Sequence, residues 1–169
     1  PDLILNASGV PKQTIPDTST FIQSKLGFEG IPSFSIHATC LSFLVALKTA
    51  SNAIQNGDYE RILIVSSDRG TRGRNFNEPE SAALLGDAAA AILIEPSSND
   101  SGLLHWNMNT WPKGASHTEV RGGGTFKHPQ DPHTTDADNL FTMNGPMIYK
   151  MARKYVYSMI HDDLNIVGV

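Results

Sequence analysis

A chain of 169 residues with 40% hydrophobic and 18% charged side chains can bury a sizeable core, which excludes an intrinsically disordered chain. Its formal charge of −4 argues against a nucleic-acid binder, and no apolar run is long enough to cross a bilayer. A single cysteine excludes an internal disulfide and a four-cysteine metal site.

Both termini read as cut from something longer. The chain begins Pro1-Asp2-Leu3-Ile4 without a methionine and stops at Asn165-Ile166-Val167-Gly168-Val169. The missing secretory segment therefore says nothing of the intact protein. Asp2–Ser8 is predicted as a short buried strand, followed by a loop carrying Gly9, Pro11 and Pro16. Asp17 or Thr18 can cap a helix through Phe21, Ile22 and Leu26 that Gly27 ends. Pro32–Ala38 alternates as a strand does, and an apolar helix is expected from about Leu41 to Asn56-Gly57, buried nearly all round.

Arg61–Ser66 has the continuous apolar character of a central parallel strand. After a polar loop over 68–77, Pro79 opens a short helix expected to run through Leu84-Leu85 to Gly86. Asp87–Glu95 holds four alanines, but the bounds Gly86 and Pro96 favour a strand with another element packed closely over it. Leu103–Met108 is expected as a further strand, and residues 112–139 as a long loop. A last helix starts near Pro146. Its apolar stripe runs from Met147 to Ile160, and Lys150, Arg153 and Lys154 lie on its other face. Alternating strands and helices make the fold α/β, with mixed or mostly parallel strands.

Cys40 falls between the strand ending near Ala38 and the apolar helix that follows. A helix N-terminus favours a thiolate, and its unpaired N–H groups can stabilise an oxyanion on a bound thioester. Those properties suit acyl transfer through a covalent intermediate. The competing reading is a buried structural cysteine, and His37, three residues earlier, is not an obvious base for it.

Phe34-Ser35-Ile36-His37-Ala38-Thr39-Cys40-Leu41-Ser42-Phe43 resembles the active-site segment of the 3-oxoacyl-[acyl-carrier-protein] synthase III family, within the thiolase superfamily. Asp2-Leu3-Ile4 with Ile15-Pro16-Asp17-Thr18, then Arg61–Asp68, Leu85–Ala91 and Met143–Lys150, are similar to further family segments in the same order. The resemblance implies a five-layered α-β-α-β-α thiolase fold. Residues 1–96 would be the later part of its first half, and residues 97–169 a connecting region with the start of its second half.

The resemblance also implies decarboxylative Claisen condensation. An acyl group from acyl-CoA would be held on Cys40 and joined to the malonyl group carried by acyl carrier protein. On this reading the backbone N–H of Cys40 contributes to an oxyanion hole. Leu84, Leu85 and Met143 line the acyl pocket, Ile15 reaches the pocket of a neighbouring subunit, and Lys150 helps dock the acidic carrier. The implied protein is a cytoplasmic homodimer with no resident cofactor, coenzyme A entering as part of a substrate. Two relatives of that reading stand beside it: an acyltransferase that makes an ester or amide or condenses without decarboxylation, and a non-catalytic partner subunit.

The chain departs from the family in three places. The catalytic histidine and asparagine are expected beyond Val169, and no histidine present has their context. Pro79 and Glu80 stand where the family often carries an arginine against coenzyme A, and alanines replace glycines after Gly86-Asp87. The group His117, His128, Asp131, His133, Asp136 and Asp138 matches no strong zinc spacing, so no metal site is expected.

Overall fold

The computed structural model describes residues 1–99 and 101–169. They form two compact units, the first made of Pro1–Arg69 with Asp87–Leu103 and the second of Gly70–Gly86 with Leu104–Val169.

The first unit holds β1 (Leu3–Asn6), α1 (Thr18–Leu26), β2 (Ser33–Ser35), α2 (Ser42–Gln55), β3 (Ile62–Arg69) and β4 (Asp87–Ile94). Its sheet runs in the order β2-β1-β3-β4. β1 is parallel to β2 and β3, while β4 is antiparallel to β3. The predicted mixed α/β sheet is present. β1 is hydrogen-bonded on both edges, and Leu3, Ile4 and Leu5 are each no more than 2% exposed, as an unbroken apolar run requires.

The register places Leu3 beside Ile62 and Leu5 beside Ile64. With period-two side chains these four share one face, and they form the core with Ala7 and with Ala46 and Ala50 of α2. Ala46 and Ala50 are one helical turn apart, and their small side chains let α2 sit close to the sheet. On the other side of α2 Leu44 is 47% exposed, and Leu41, in the turn just before it, is 45% exposed. The expectation of an all-round buried helix is therefore corrected to burial of one face.

α1 begins and ends where its capping residues predict. The Asp17 carboxylate accepts a hydrogen bond from the Ser19 N–H, and Gly27 closes the helix at φ +74°, a conformation glycine adopts without steric cost. Asp17 also accepts from the hydroxyls of Ser19 and Ser35, and Ser35 in turn accepts from Asn6 Nδ2 at 2.8 Å. Partial burial of the Asp17 carboxyl opposes ionisation, but the bonds from Ser19 and Ser35 outweigh it and hold the group below the ordinary aspartate range.

A folded-state value below the unfolded one means that ionised Asp17 adds stability above about pH 4. That contribution is lost as pH falls through the lower folded value. Asp17→Ala should cost about 1 kcal/mol as a lost cap. Asp17→Asn should keep most of the cap yet flatten the acid limb of an unfolding titration; an unchanged acid limb would refute the assignment.

β4 confirms the strand reading over Asp87–Ile94. Ala88–Ala91 are exposed, however, so nothing within this unit packs over them as their size suggested.

The second unit holds α3 (Pro79–Ala82), β5 (Thr118–Glu119), β6 (Thr142–Met143) and α4 (Gly145–Val167). β5 and β6 pair antiparallel and close the long excursion between them. Within that excursion His128 and Asp131 serve local turns, accepting from the backbone N–H groups of Gln130 and His133, and Asp138 completes a capping box with Thr135.

The strand expected over Leu103–Met108 does not form. His105 Nε2 and Asn107 Nδ2 instead each lie 3.1 Å from Asp163 Oδ1 on α4, so polar side chains, not a backbone ladder, tie this segment down. Trp111 stacks on Tyr155 of the same helix at 4.4 Å between ring centroids. α4 starts at the Asn144 cap with Pro146 in its first turn, as predicted. Its apolar stripe is only partly covered, Met151, Tyr155 and Met159 being half-buried while Val156 and Ile160 are exposed. No helix among the described residues is long and apolar enough to cross a membrane.

Candidate active site

Cys40 sits in the middle of a 3-10 turn, Thr39–Leu41, between β2 and the first residue of α2. The thiol therefore precedes the α-helix proper by two residues, where the sequence places it about one residue before. It is exposed in this chain. Thr39, immediately before it, has φ +47°, unfavourable for a β-branched residue.

The turn is held from its neighbours. Ser42 Oγ accepts from the Ala38 N–H at 2.9 Å and donates to the Thr39 carbonyl at 2.7 Å. Behind it, the Asp68 carboxylate accepts from the N–H groups of Gly9 and Val10, both at 3.0 Å, fixing the loop after β1. A Cβ placed on Gly9 would stand 3.5 Å from the Thr39 carbonyl oxygen, so this loop lies close against the cysteine turn. Ile15 belongs to the same loop and is 80% exposed.

Leu84, Leu85, Met143 and Lys150 belong to the second unit. α3 ends at Ala82, so Leu84 and Leu85 lie past it in a turn and not on a helix. The chain there is fixed by the backbone instead. Arg74 Nε donates to the Leu85 carbonyl at 2.9 Å, joined by the same guanidinium's Nη2. Leu84 is 67% exposed.

Met143 lines a cavity of about 550 Å³ with Glu78, Glu80, Ser81 and the α4 entrance at Asn144–Pro146. Glu78 Oε2 accepts from the Met143 N–H and from the buried Ser81 hydroxyl, both at 3.2 Å. Met143 is thus positioned through its backbone. Lys150, Arg153 and Lys154 are all exposed, and their spacing puts them on one side of α4.

Gly70 sets a tight approach in this unit: a Cβ there would lie 2.7 Å from the Gly86 carbonyl oxygen. Because the obstacle is backbone, Gly70→Ala should destabilise by roughly 1–3 kcal/mol and shift the Leu84-Leu85 turn. A thermal melt equal to wild type would contradict this.

Sequence reasoning singled out neither Ser42 nor Glu78. Ser42 is a short-range anchor whose signal was its spacing, three residues after Thr39. Glu78 stands directly before the α3 proline, but its bond to Met143 spans 65 residues and leaves no local mark.

Residues 34–112 match the family model of 3-oxoacyl-[acyl-carrier-protein (ACP)] synthase III. The chain is similar to beta-ketoacyl-[acyl-carrier-protein] synthase III 2 of Bacteroides thetaiotaomicron, at 29% identity over 95% of this chain and 47% of the relative. Beta-ketoacyl-[acyl-carrier-protein] synthase III of Chlorobium phaeobacteroides is 30% identical over 89% of this chain and 46% of its own. The crystal structure of 3-oxoacyl-[acyl-carrier-protein] synthase III from Aquifex aeolicus superposes with a TM-score of 0.82 at 23% identity, covering 99% of this chain and 50% of that one. The fold is therefore thiolase-like, and the chain spans about half the length of the relatives it matches. With the Cys40 turn inside the matched segment and the similarity to the relatives continuing along nearly the whole chain, this chain resembles the 3-oxoacyl-[acyl-carrier-protein] synthase III family over the half of their length that it spans.

Proposed function

We propose that the intact protein is a condensing acyltransferase that forms a 3-oxoacyl thioester, with Cys40 as the acyl carrier. The observation that carries this is the exposed thiol on a constrained turn at the entrance of α2, inside the segment the family model covers. In the first half-reaction Cys40 Sγ attacks the acyl-CoA carbonyl. The carbon–sulfur bond to coenzyme A breaks, and coenzyme A leaves as its thiol with the proton Cys40 gives up. In the second, the malonyl thioester on the carrier loses carbon dioxide. The resulting carbanion attacks the acyl carbonyl and expels the Cys40 thiolate. A thioester on sulfur suits this sequence because it stays activated toward a carbon nucleophile.

Leu84, Leu85 and Met143 would contact the acyl chain, and Ile15, exposed on its loop, would reach the pocket of a second copy in a homodimer. Lys150, with Arg153 and Lys154, offers the positive face an acidic carrier protein needs. The reading is tested by incubating the full-length protein with acyl-CoA and weighing it, then adding a malonyl thioester on carrier protein and measuring carbon dioxide. One acyl mass and stoichiometric carbon dioxide are expected. Acylation followed by ester or amide formation without carbon dioxide would replace condensation by simple acyl transfer, and no acyl mass would leave a non-catalytic subunit.

A further inference from the structure

We propose that Ser42 is a positioning residue for the reaction, holding the Cys40 turn in its strained shape; this rests on the reading of Cys40 as the acyl carrier. Thr39 has φ +47°, which a β-branched side chain resists, so something must hold it there. Ser42 supplies that restraint from a site only 1% exposed. Its hydroxyl accepts from the Ala38 N–H at 2.9 Å and donates to the Thr39 carbonyl at 2.7 Å. Its own N–H points to the same carbonyl. One side chain therefore ties together both residues before Cys40, using one donor and one acceptor. Buried hydroxyls paired on both functions are rigid anchors.

The consequence for chemistry is directional. An attacking sulfur and the peptide N–H beside it must be placed together relative to the thioester carbonyl, and small displacements of such groups are costly. If the hydroxyl is removed, Thr39 is free to relax to negative φ, and the peptide plane entering Cys40 turns with it. Reactions that need only an accessible thiol should barely notice, whereas acylation should.

The test uses the full-length protein. In Ser42→Ala, transfer of an acyl group from acyl-CoA to Cys40, followed by mass spectrometry in a single turnover, should slow roughly 10- to 100-fold. Alkylation of the same thiol by iodoacetamide should stay within about twofold of wild type. Adding Thr39→Gly to Ser42→Ala should restore most of the acylation rate, because glycine adopts φ > 0 without strain. Equal loss in both reactions, or no loss of acylation, would overturn the proposal. So would a folded double variant that does not regain acylation. If Ser42→Ala alone does not fold, the double variant is compared directly with wild type, and its failure to fold would make Ser42 a residue of the fold only. Wild-type protein that takes up no acyl mass would instead overturn the reading of Cys40 itself.

Discussion

Cys40→Ala should abolish the acyl adduct and lower condensation by roughly 10³-fold or more, because on the proposed reading Cys40 holds the acyl group between the two half-reactions. The same substitution should leave stability within about 0.5 kcal/mol of wild type, since an exposed position contributes little packing. The separation of the two effects is the useful part. A structural cysteine would show the opposite pattern: a lower melting temperature with acyl uptake intact on some other nucleophile. The measurement is intact-protein mass after exposure to acyl-CoA, run beside a thermal melt of the same sample. An adduct of equal mass on the variant would sink the assignment.

The contrast between Cys40 and Thr39 shows which physical signals reach the sequence and which do not. An alternating segment ending near Ala38, followed by an apolar helical stretch, predicts a strand–turn–helix junction, and the thiol is found in that turn. Asp17 and Gly27 mark α1 because capping is a local bond between neighbours. The positive φ of Thr39 has no such mark, since its residue type argues against it and its carbonyl is held by the hydroxyl and the N–H of Ser42.

Leu103–Met108 fails for a related reason. A strand is expected there, but a strand needs a partner edge, and the His105 and Asn107 side chains find Asp163 instead. The two-residue pairing of β5 with β6 lies below any periodic signal. The apolar character of α2 was legible but not its meaning: Ala46 and Ala50 face the core while Leu44 is exposed. Nor does local sequence reveal that residues 70–86 leave the first unit and the chain returns to it at Asp87. Of the candidate site, the cysteine and the loop carrying Ile15 were legible, and the anchors Ser42, Asp68 and Glu78 were not.

Leu5→Ala should destabilise the first unit by about 3–4 kcal/mol. Leu5 is fully buried in β1, pairs with Ile64 in the neighbouring strand and belongs to the core that α2 covers. β1 is bonded along both edges, so its backbone cannot shift far to fill the space left by the three carbons removed, Cγ and its two methyls. The cavity term should therefore add nearly in full to the lost transfer energy. The strand also runs toward the loop that Asp68 fixes against the Thr39 carbonyl. Core loosening at Leu5 should consequently be felt at the Cys40 turn as slower acylation, even under conditions where the variant remains folded. Denaturant unfolding read by a probe in the first unit measures the stability change, and a loss below about 1 kcal/mol would mean that β1 relaxes after all. Leu41→Ala provides the matched comparison: the same truncation beside Cys40, at a side chain 45% exposed, should cost well under half as much.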